Sequence, residues 1–247
     1  MESKVAIITG ASSGIGTAVA ESFVGAGYRV MAAGRDRNRT ADLLRLGSAL
    51  RTWIGDVAAV SSCSELVTVC IAEFGRLDVL VNNAGIYRRA NAEGTTDADW
   101  RDTLSVNLDA PFYLSRAALP ELRRTRGVIL NIASDWGLVG ARDAVAYCAS
   151  KGGLVLMSKA MALDHAAEGV RVNAICPGDV ETPMLYEGAA LRGISDAEAL
   201  REAEAMSPTG RVTRAAEVAA LALFLACDSG AQITGAAIPI DGGNTAG

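Results

Sequence analysis

Histidine is almost absent from this sequence, and its five cysteines include no Cys-x-x-Cys pair. A zinc-type site needs several imidazole or thiolate ligands at short spacing, so we predict no metal centre. An odd number of cysteines without a disulfide framework is typical of a reducing compartment, and we expect a cytoplasmic protein with its thiols in the core. The single histidine, His165, is expected to cap a helix end or to lie on the surface.

The sequence also has no excess of positive charge and no long apolar run. The formal net charge is -5, which gives no broad positive field for nucleic-acid phosphates or anionic lipids. No run approaches the roughly 18 apolar residues that a membrane helix needs. The amino terminus passes directly into a short strand-like run, which argues against a cleaved signal peptide. We therefore expect a small-molecule ligand rather than nucleic acid or a membrane.

Short runs of Val, Ile and Leu alternate with longer stretches of helical period along the whole chain. This alternation predicts βαβ units, and uniformly apolar strands are typical of a parallel sheet covered on both faces. The predicted strands are 5–9, 29–33, 51–56, 79–82, 128–133, 171–176 and 237–240. The predicted helices are 15–25, 37–50, 61–74, 96–122, 145–168 and 215–227. We expect an α/β fold with one doubly wound, Rossmann-like sheet of about seven strands and helices on both faces.

The chain has no repeat, low-complexity tract or Pro/Ser-rich linker that would mark a domain boundary. Residues 1–247 are therefore expected to form a single domain that both binds a dinucleotide and carries the catalytic residues. An eight-fold β/α barrel is the competing architecture, but it needs eight comparable units, and the polar, helix-prone span 186–206 supplies no strand. That span predicts a substrate lid inserted at residues 183–210.

A glycine-rich turn follows the first predicted strand. It reads Thr9-Gly10-Ala11-Ser12-Ser13-Gly14-Ile15-Gly16 and leads into a helical pattern. Glycine lets a backbone approach a ligand closely, and the N-H groups and dipole at a helix start suit a diphosphate. A flexible Gly/Ser turn is the alternative, because three residues rather than one separate the first two glycines.

Two further predicted strands end in polar turns, Asp56-Val57 and Asn82-Asn83-Ala84-Gly85. Ligands of open α/β sheets bind at the carboxyl ends of strands, so these turns would line the adenosine side of a nucleotide site. Ordinary turn chemistry is the alternative for each of them.

Tyr147 and Lys151 stand four positions apart, hence on one face of a predicted helix. A fixed cation beside a phenol lowers its pKa from about 10, which would make Tyr147 a proton carrier. Ser134, directly after a predicted strand, could donate to a substrate oxygen, and Asn107 could bend its helix and hold water. The alternatives are a packed tyrosine with a surface lysine, a helix-capping serine and a solvent-facing amide.

Taken in order, these motifs resemble the short-chain dehydrogenase/reductase family over nearly the whole chain. The matching elements are Thr9-Gly10-x-x-x-Gly14-x-Gly16, Asn82-Asn83-Ala84-Gly85, Asn107, Ser134, Tyr147-x-x-x-Lys151, Pro177-Gly178 with Thr182, and Asp241-Gly242-Gly243. The resemblance implies an NAD(P)-dependent oxidoreductase that transfers a hydride between a nicotinamide cofactor and a carbonyl or secondary alcohol substrate, such as a carbonyl reductase.

The resemblance also implies a role for each catalytic residue. Tyr147 would be the general acid and base, and Lys151 would lower its pKa and hold the nicotinamide ribose. Ser134 would orient the substrate oxygen, and Asn107 would anchor a water in a proton relay. The implied cofactor contacts are Gly10, Ser12, Ser13, Gly14, Ile15, Gly16, Arg35, Asp56, Val57, Asn83, Ala84, Gly85, Tyr147, Lys151, Pro177, Gly178, Val180 and Thr182.

Two other functions stay open: a non-catalytic dinucleotide-binding sensor or scaffold protein, and an epimerase or dehydratase that uses a nicotinamide transiently. The choice between NADP(H) and NAD(H) depends on the end of the second strand. Arg35 there could pair with a 2'-phosphate, whereas Asp36 could swing inward and repel it, and Ser13 stands where many NADP-preferring relatives carry a basic residue. We favour NADP(H), with NAD(H) as the alternative.

The sequence names no particular substrate. A mostly apolar pocket could be formed by Ile86, Tyr87, Trp136, Leu138, Val139, Met184, Leu185 and Tyr186. Arg88, Arg89 and Arg142 are either anion ligands or, as we favour, solvated surface charges. The apolar stretches 110–119 and 154–163 exceed what one helix face needs, and relatives pair these helices between subunits, so we expect a homo-oligomer, namely a tetramer.

Overall fold

The computed structural model describes residues 3–246 and contains a seven-stranded parallel sheet with the order β3-β2-β1-β4-β5-β6-β7. The strands are β1 (Val5–Thr9), β2 (Arg29–Gly34), β3 (Leu50–Ile54), β4 (Val79–Asn82), β5 (Val128–Ile132), β6 (Arg171–Pro177) and β7 (Ala237–Ile240). The predicted strand number and parallel sheet are therefore confirmed, with each strand end within two residues of its prediction.

Nine α-helices connect these strands within residues 3–246. They are α1 (Gly14–Gly25), α2 (Arg37–Ala41), α3 (Val60–Phe74), α4 (Asp97–Leu104), α5 (Ala110–Thr125), α6 (Val145–His165), α7 (Pro183–Arg192), α8 (Asp196–Met206) and α9 (Ala215–Ala226). None of them is long and apolar enough to cross a bilayer.

The sheet separates two hydrophobic cores. Val5 and Ile7 of β1 belong to one core, and Ala6 and Ile8 to the other, as the alternation of side chains along a strand requires. The first core packs against α3, α5 and α6, and the second packs against α1 and α9. Helices on both faces confirm the doubly wound α/β fold.

Two predicted helices differ from the structure. The predicted helix 37–50 is the short α2 followed by a 3-10 segment, Asp42–Leu46, which ends at Gly47 with a φ of 84°. The predicted helix 96–122 is α4 and α5 joined by a π-turn, Ser105–Asp109. A left-handed glycine stops the first helix, and the π-turn divides the second at Asn107.

The cysteines and the histidine occupy structural positions. All five cysteines are free thiols. His165 is the last residue of α6, where its Nδ1 lies 2.8 Å from Glu168 Oε2. The expected role of His165 at a helix end is confirmed.

The order of the strands places a crevice at one edge of the sheet. From β1 the chain proceeds through β2 and β3 on one side, and then returns to β4 on the other side. Ligands of such sheets bind outside the carboxyl ends of the strands, at the point where the order reverses. That point lies between β1 and β4, next to the glycine-rich turn.

Candidate active site

The glycine-rich turn packs so tightly that a side chain is disfavoured at Gly10, Gly14 and Gly16. Gly10 and Gly14 have φ values of 62° and 55°. A Cβ on Gly16 would lie 2.2 Å from the carbonyl oxygen of Gly10. Ser13, the N-cap of α1, makes no side-chain capping bond, and the first turn carries no acidic residue. Its backbone N-H groups are therefore suited to the diphosphate of a dinucleotide, and the predicted cradle fits such a group.

The end of β4 holds this turn in place. Asn83 Nδ2 donates to the carbonyl oxygens of Thr9, at 2.9 Å, and of Gly10, at 3.2 Å. Thr9 Oγ1 in turn accepts from the backbone N-H groups of Asn83 and Ala84. The two segments that the sequence predicts on the nucleotide side are thus brought together by four hydrogen bonds.

The guanidinium of Arg35, directly after β2, is available to bind a ligand. A Cβ on Gly34 would lie 2.4 Å from Thr40 Oγ1, so no acidic side chain fits at that position. Asp36 caps α2 by accepting from the backbone N-H groups of Asn38 and Arg39. The prediction that Asp36 could swing inward is therefore wrong for this structure, because the carboxylate already holds a helix end. Arg35 is exposed and has no hydrogen bond or ion pair within residues 3–246.

Tyr147, near the start of α6, lies among aromatic rings. Its ring centroid is 5.2 Å from that of Tyr87 and 6.1 Å from that of Trp136, and both pairs meet edge to face. Burial raises the pKa of Tyr147, while a hydrogen bond with the Ser134 side chain opposes the rise. The expected lowering by Lys151 does not appear here, because burial outweighs every favourable contact.

Lys151 lies one turn beyond Tyr147, as the spacing predicts, but its ammonium has another partner. Lys151 Nζ donates to the carbonyl oxygen of Ile132 at 2.8 Å, and it lies 5.7 Å from the centre of the Tyr147 ring. Burial lowers the pKa of Lys151 to about 8. The amine is therefore still protonated at neutral pH, beside the phenol.

Asn107 is completely buried, which contradicts the alternative of a solvent-facing amide. Its Oδ1 accepts from the backbone N-H of Ile86 at 2.8 Å, and its Nδ2 donates to the Ile86 carbonyl oxygen and to Ser150 Oγ. A Cβ on Gly85 would lie 3.4 Å from Asn107 Oδ1 and 3.5 Å from Lys151 Nζ. The π-turn at Asn107 is the bend that the sequence predicts, and it places Asn107 close to Lys151.

Ser134 begins a 3-10 turn at the end of β5, so it both caps that turn and faces Tyr147. Its Oγ accepts from the backbone N-H of Trp136 and donates to Asp135 Oδ1 at 2.9 Å. Asp135 is buried, and burial raises its pKa. Its second oxygen accepts from Asn244 Nδ2 at 2.8 Å. The roles of Asp135 and Asn244 were not predicted, and Asn244 carries no local sequence signal.

The other predicted cofactor contacts also lie at the carboxyl edge. Asp56 follows β3 and accepts from the backbone N-H of Ala58, and Val57 is buried beside it. Pro177 ends β6, and a Cβ on Gly178 would lie 3.0 Å from Asp241. Thr182 precedes α7, and its Cγ2 would lie 2.9 Å from a Cβ on Gly14. The remaining members are Ser12, Ile15 and Val180.

Asp179, between Gly178 and Val180, is a third carboxylate near the predicted catalytic residues that was not predicted. The pKa of Asp179 is raised to about 6, chiefly because surrounding protein atoms keep water from the carboxylate and secondly because of the negative charge of Asp135. The residue as a whole is nevertheless exposed. It directly follows the end of a buried strand, which is the signal that could have identified it.

The predicted lid span consists of α7 and α8, with Leu191 and Met206 exposed. The predicted pocket residues Tyr87 and Trp136 pack around Tyr147, and Leu138, Val139 and Met184 are partly exposed. Two of the three arginines considered as anion ligands are paired: Arg88 with Asp99 at 3.7 Å and Arg89 with Asp143 at 3.2 Å. Those two are surface charges, as we favour; Arg142 is exposed, without a partner in the described part of the chain.

Comparison with known proteins shows full-length likenesses. A family model described as Enoyl-(Acyl carrier protein) reductase matches residues 10–245. Meso-2,3-butanediol dehydrogenase of Serratia marcescens is 39% identical, over 99% of this chain and 96% of its own length. Ligand-free aldohexose dehydrogenase of Thermoplasma acidophilum is 33% identical with a TM-score of 0.91, covering 100% of this chain and 95% of that one. The 3-ketoacyl-(acyl-carrier-protein) reductase of Brucella melitensis, complexed with NADH, is 30% identical with a TM-score of 0.90, covering 99% of both chains.

Proposed function

The chain belongs to the short-chain dehydrogenase/reductase family, and from that membership we propose that it interconverts a secondary alcohol and a carbonyl compound with Tyr147 as general acid and base. It is a nicotinamide-dependent oxidoreductase, as the named dehydrogenases and reductases among its relatives indicate. The observation that carries the proposed role is the position of Tyr147, which is half-buried among aromatic rings, faces the Ser134 side chain and is followed one turn later by a buried ammonium.

Each proposed catalytic residue has a distinct task. A bound nicotinamide supplies the hydride acceptor or donor. Tyr147 Oη gives its proton to the substrate oxygen during reduction and takes it back during oxidation. Ser134 Oγ holds that oxygen where negative charge develops. Lys151 places a positive charge near the phenol, and the Asn107 turn lies beside it as the start of a proton path to water.

We propose that NADP(H) is the preferred cofactor. The supporting observations are the unpaired guanidinium of Arg35 and the use of Asp36 as a helix cap, which directs its carboxylate to the backbone N-H groups of Asn38 and Arg39. The exclusion of a side chain at Gly34 also removes the place for a carboxylate that would bind a ribose hydroxyl.

We also propose that residues 1–247 act as one domain in which α7 and α8 close over the substrate, and that the enzyme works in the cytoplasm as a homotetramer. The exposed apolar side chains Phe112 on α5 and Leu156 and Leu163 on α6 support subunit association. Small alcohols, diols and ketones are the proposed substrate class.

Substitution of Tyr147 with Phe tests the proposed function. We expect kcat to fall at least about a hundredfold, because the general acid is lost, while affinity for the cofactor is retained. Initial rates are measured with NADP(H) and with NAD(H) on a panel of ketones and alcohols, and cofactor binding is measured by fluorescence titration. Tyr113→Phe, on α5, is the matched control.

Three results would count against the proposal. Activity that survives in Tyr147→Phe would remove the assigned role. Cofactor binding without turnover in the wild-type protein would indicate a sensor or scaffold. A large preference for NAD(H) would reverse the proposed cofactor choice and leave the rest standing.

A further inference from the structure

Asp179 follows β6, the strand that pairs with β5, and β5 ends two residues before Ser134. Strands β5 and β6 pair with Ile132 opposite Ile175, and the Ala133 N-H donates to the Ile175 carbonyl oxygen at 2.7 Å. When this register is continued beyond the strands, Ser134 lies opposite Pro177, and the residues after Ser134 lie opposite those after Pro177. The backbone of Asp179 is fixed there, because its carbonyl oxygen accepts from the Thr213 N-H at 2.9 Å.

The surroundings of Asp179 place its carboxylate on the substrate side of this edge. Asp179 and Asn244 line one cavity with Met206 at the end of α8, and Asn244 bonds to Asp135 next to Ser134. The charge of Asp179 also contributes to the raised pKa values of Tyr147 and Tyr87. The carboxylate therefore lies between the proposed catalytic tyrosine and the lid helices.

Of the carboxylates of Asp135, Asp179 and Asp241, that of Asp179 has no hydrogen-bond or ion-pair partner within residues 3–246. Asp135 accepts from Ser134, Trp136 and Asn244. Asp241 accepts from Gly243 and from the N-H and hydroxyl of Thr245. The guanidinium that lines the same cavity, Arg211, is held by both carboxylate oxygens of Glu217. Because Asp179 is exposed, its carboxylate is open to a hydrogen-bond donor on a bound ligand.

We propose that Asp179 determines substrate specificity by accepting a hydrogen bond from a second hydroxyl of the substrate, on the carbon next to the one that is oxidised or reduced. This inference rests on the proposed function, because it requires Ser134 and Tyr147 to hold the reacting oxygen of the substrate close to Asp179. An uncompensated carboxylate repels acidic substrates and favours neutral polyols and hydroxyketones. Butanediol and aldohexose, named for two of the relatives, belong to that chemical class.

The test compares a vicinal diol with the matching mono-alcohol. The ratio of kcat/KM for meso-2,3-butanediol to that for 2-butanol is measured in the wild-type protein, in Asp179→Asn and in Asp179→Ala. A hydrogen bond to a charged group corresponds to about 10- to 100-fold, so we expect the ratio to fall by that factor in Asp179→Ala and by less in Asp179→Asn, which keeps an acceptor. Asp164→Asn, an exposed acid on α6, is the control and should keep the wild-type ratio.

The outcomes separate this inference from the proposed function. A wild-type protein that oxidises both alcohols, with a ratio unchanged in both variants, overturns the role of Asp179 and leaves the dehydrogenase intact. A wild-type protein that oxidises neither, with either cofactor, overturns both. A wild-type preference for 3-amino-2-butanol that is lost in Asp179→Asn assigns the carboxylate to an ammonium instead of a hydroxyl. Thermal unfolding of each variant shows whether a fold defect accounts for a lost activity, and Asp179→Leu, which removes the acceptor but keeps a side chain of similar size, provides the decisive ratio if Asp179→Ala is unstable.

Discussion

Lys151 is buried and Tyr147 is half-buried, and the reduced contact with water moves their pKa values in opposite directions. The pKa of Tyr147 is raised, and that of Lys151 is lowered to about 8. At neutral pH the phenol therefore keeps its proton while the amine carries its charge, which is the pair of states required for donating a proton to a carbonyl oxygen. Removal of a proton from an alcohol requires the opposite state of Tyr147, the phenolate.

This asymmetry predicts different pH profiles for the two directions. Oxidation should become faster as pH rises, by about tenfold per unit below the pKa of Tyr147 when chemistry limits the rate. Reduction should be level through neutral pH, because Tyr147 is already protonated there. The measurement is kcat in each direction from about pH 6 to about pH 8, the range below the pKa of about 8 in which Lys151 keeps most of its charge. An oxidation rate that is level over this range would contradict the assignment of Tyr147 as the base.

Individual residues were predictable where a motif fixes both type and spacing. The sequence places Tyr147, Lys151, Ser134 and Asn107 near one another, and the structure brings them to the same end of the sheet. Asp135 and Asn244 are 109 positions apart and meet only in the folded chain. The partner of Lys151, a backbone carbonyl, has no sequence signature at all. Side-chain partners that come from distant elements need three-dimensional information.

Helix α1 shows how a single element is adapted to a ligand at one end. Its first turn lacks a side-chain cap and packs against Gly10 without room for a Cβ at Gly16. At its other end, Gly25 has no atom within 4 Å of an added Cβ. A side chain is therefore excluded at Gly16, whereas Gly25 of the same helix has room for one.

Gly16→Ala should destabilise the protein by about 1–3 kcal/mol and weaken cofactor binding, because the new Cβ displaces the turn. Gly25→Ala should leave binding unchanged and stabilise the protein by about 0.4–1 kcal/mol, since it only restricts the unfolded chain. Chemical denaturation and cofactor titration of both variants provide the comparison. Equal effects of the two substitutions would show that the Gly10–Gly16 contact is unimportant.

The secondary-structure elements were predictable because their apolar patterns are strong. Strands β1, β4 and β7 begin and end where the sequence predicts. The errors lie at breaks in helices, at Gly47 and at Asn107, where one residue changes the backbone path without interrupting the apolar pattern. A continuous apolar pattern in the sequence therefore does not show whether the predicted helix is interrupted.

Across the whole molecule, exposed large apolar side chains occur on helices of both layers, and α5 and α6 carry several of them. Leu163 and Leu156 of α6 are 84% and 67% exposed, and Phe112 of α5 is 42% exposed. Large apolar patches of this kind mark association surfaces. The fold class followed from the sequence, but the assembly depends on which surfaces remain uncovered after folding.

Leu163→Glu combined with Leu156→Glu should shift the oligomer towards smaller species, because a charge at each position opposes burial against a second subunit. Sedimentation velocity at several concentrations measures the shift. Leu191→Glu, an equally exposed leucine on α7, is the control and should leave assembly unchanged. A wild-type protein that sediments as a monomer at every concentration would refute the proposed tetramer.

The edge-to-face contact between Trp136 and Tyr147 has an optical consequence. Tyrosinate absorbs where tryptophan emits, whereas neutral tyrosine does not, and a separation of 6.1 Å is short enough for efficient energy transfer. The emission of Trp136 should therefore dim when Tyr147 loses its proton. The ring of Tyr87 lies 5.8 Å from that of Trp136 and would quench it in the same way. With Trp53, Trp100 and Tyr87 replaced by Phe, the emission of Trp136 therefore reports the charge on Tyr147, readable without any substrate.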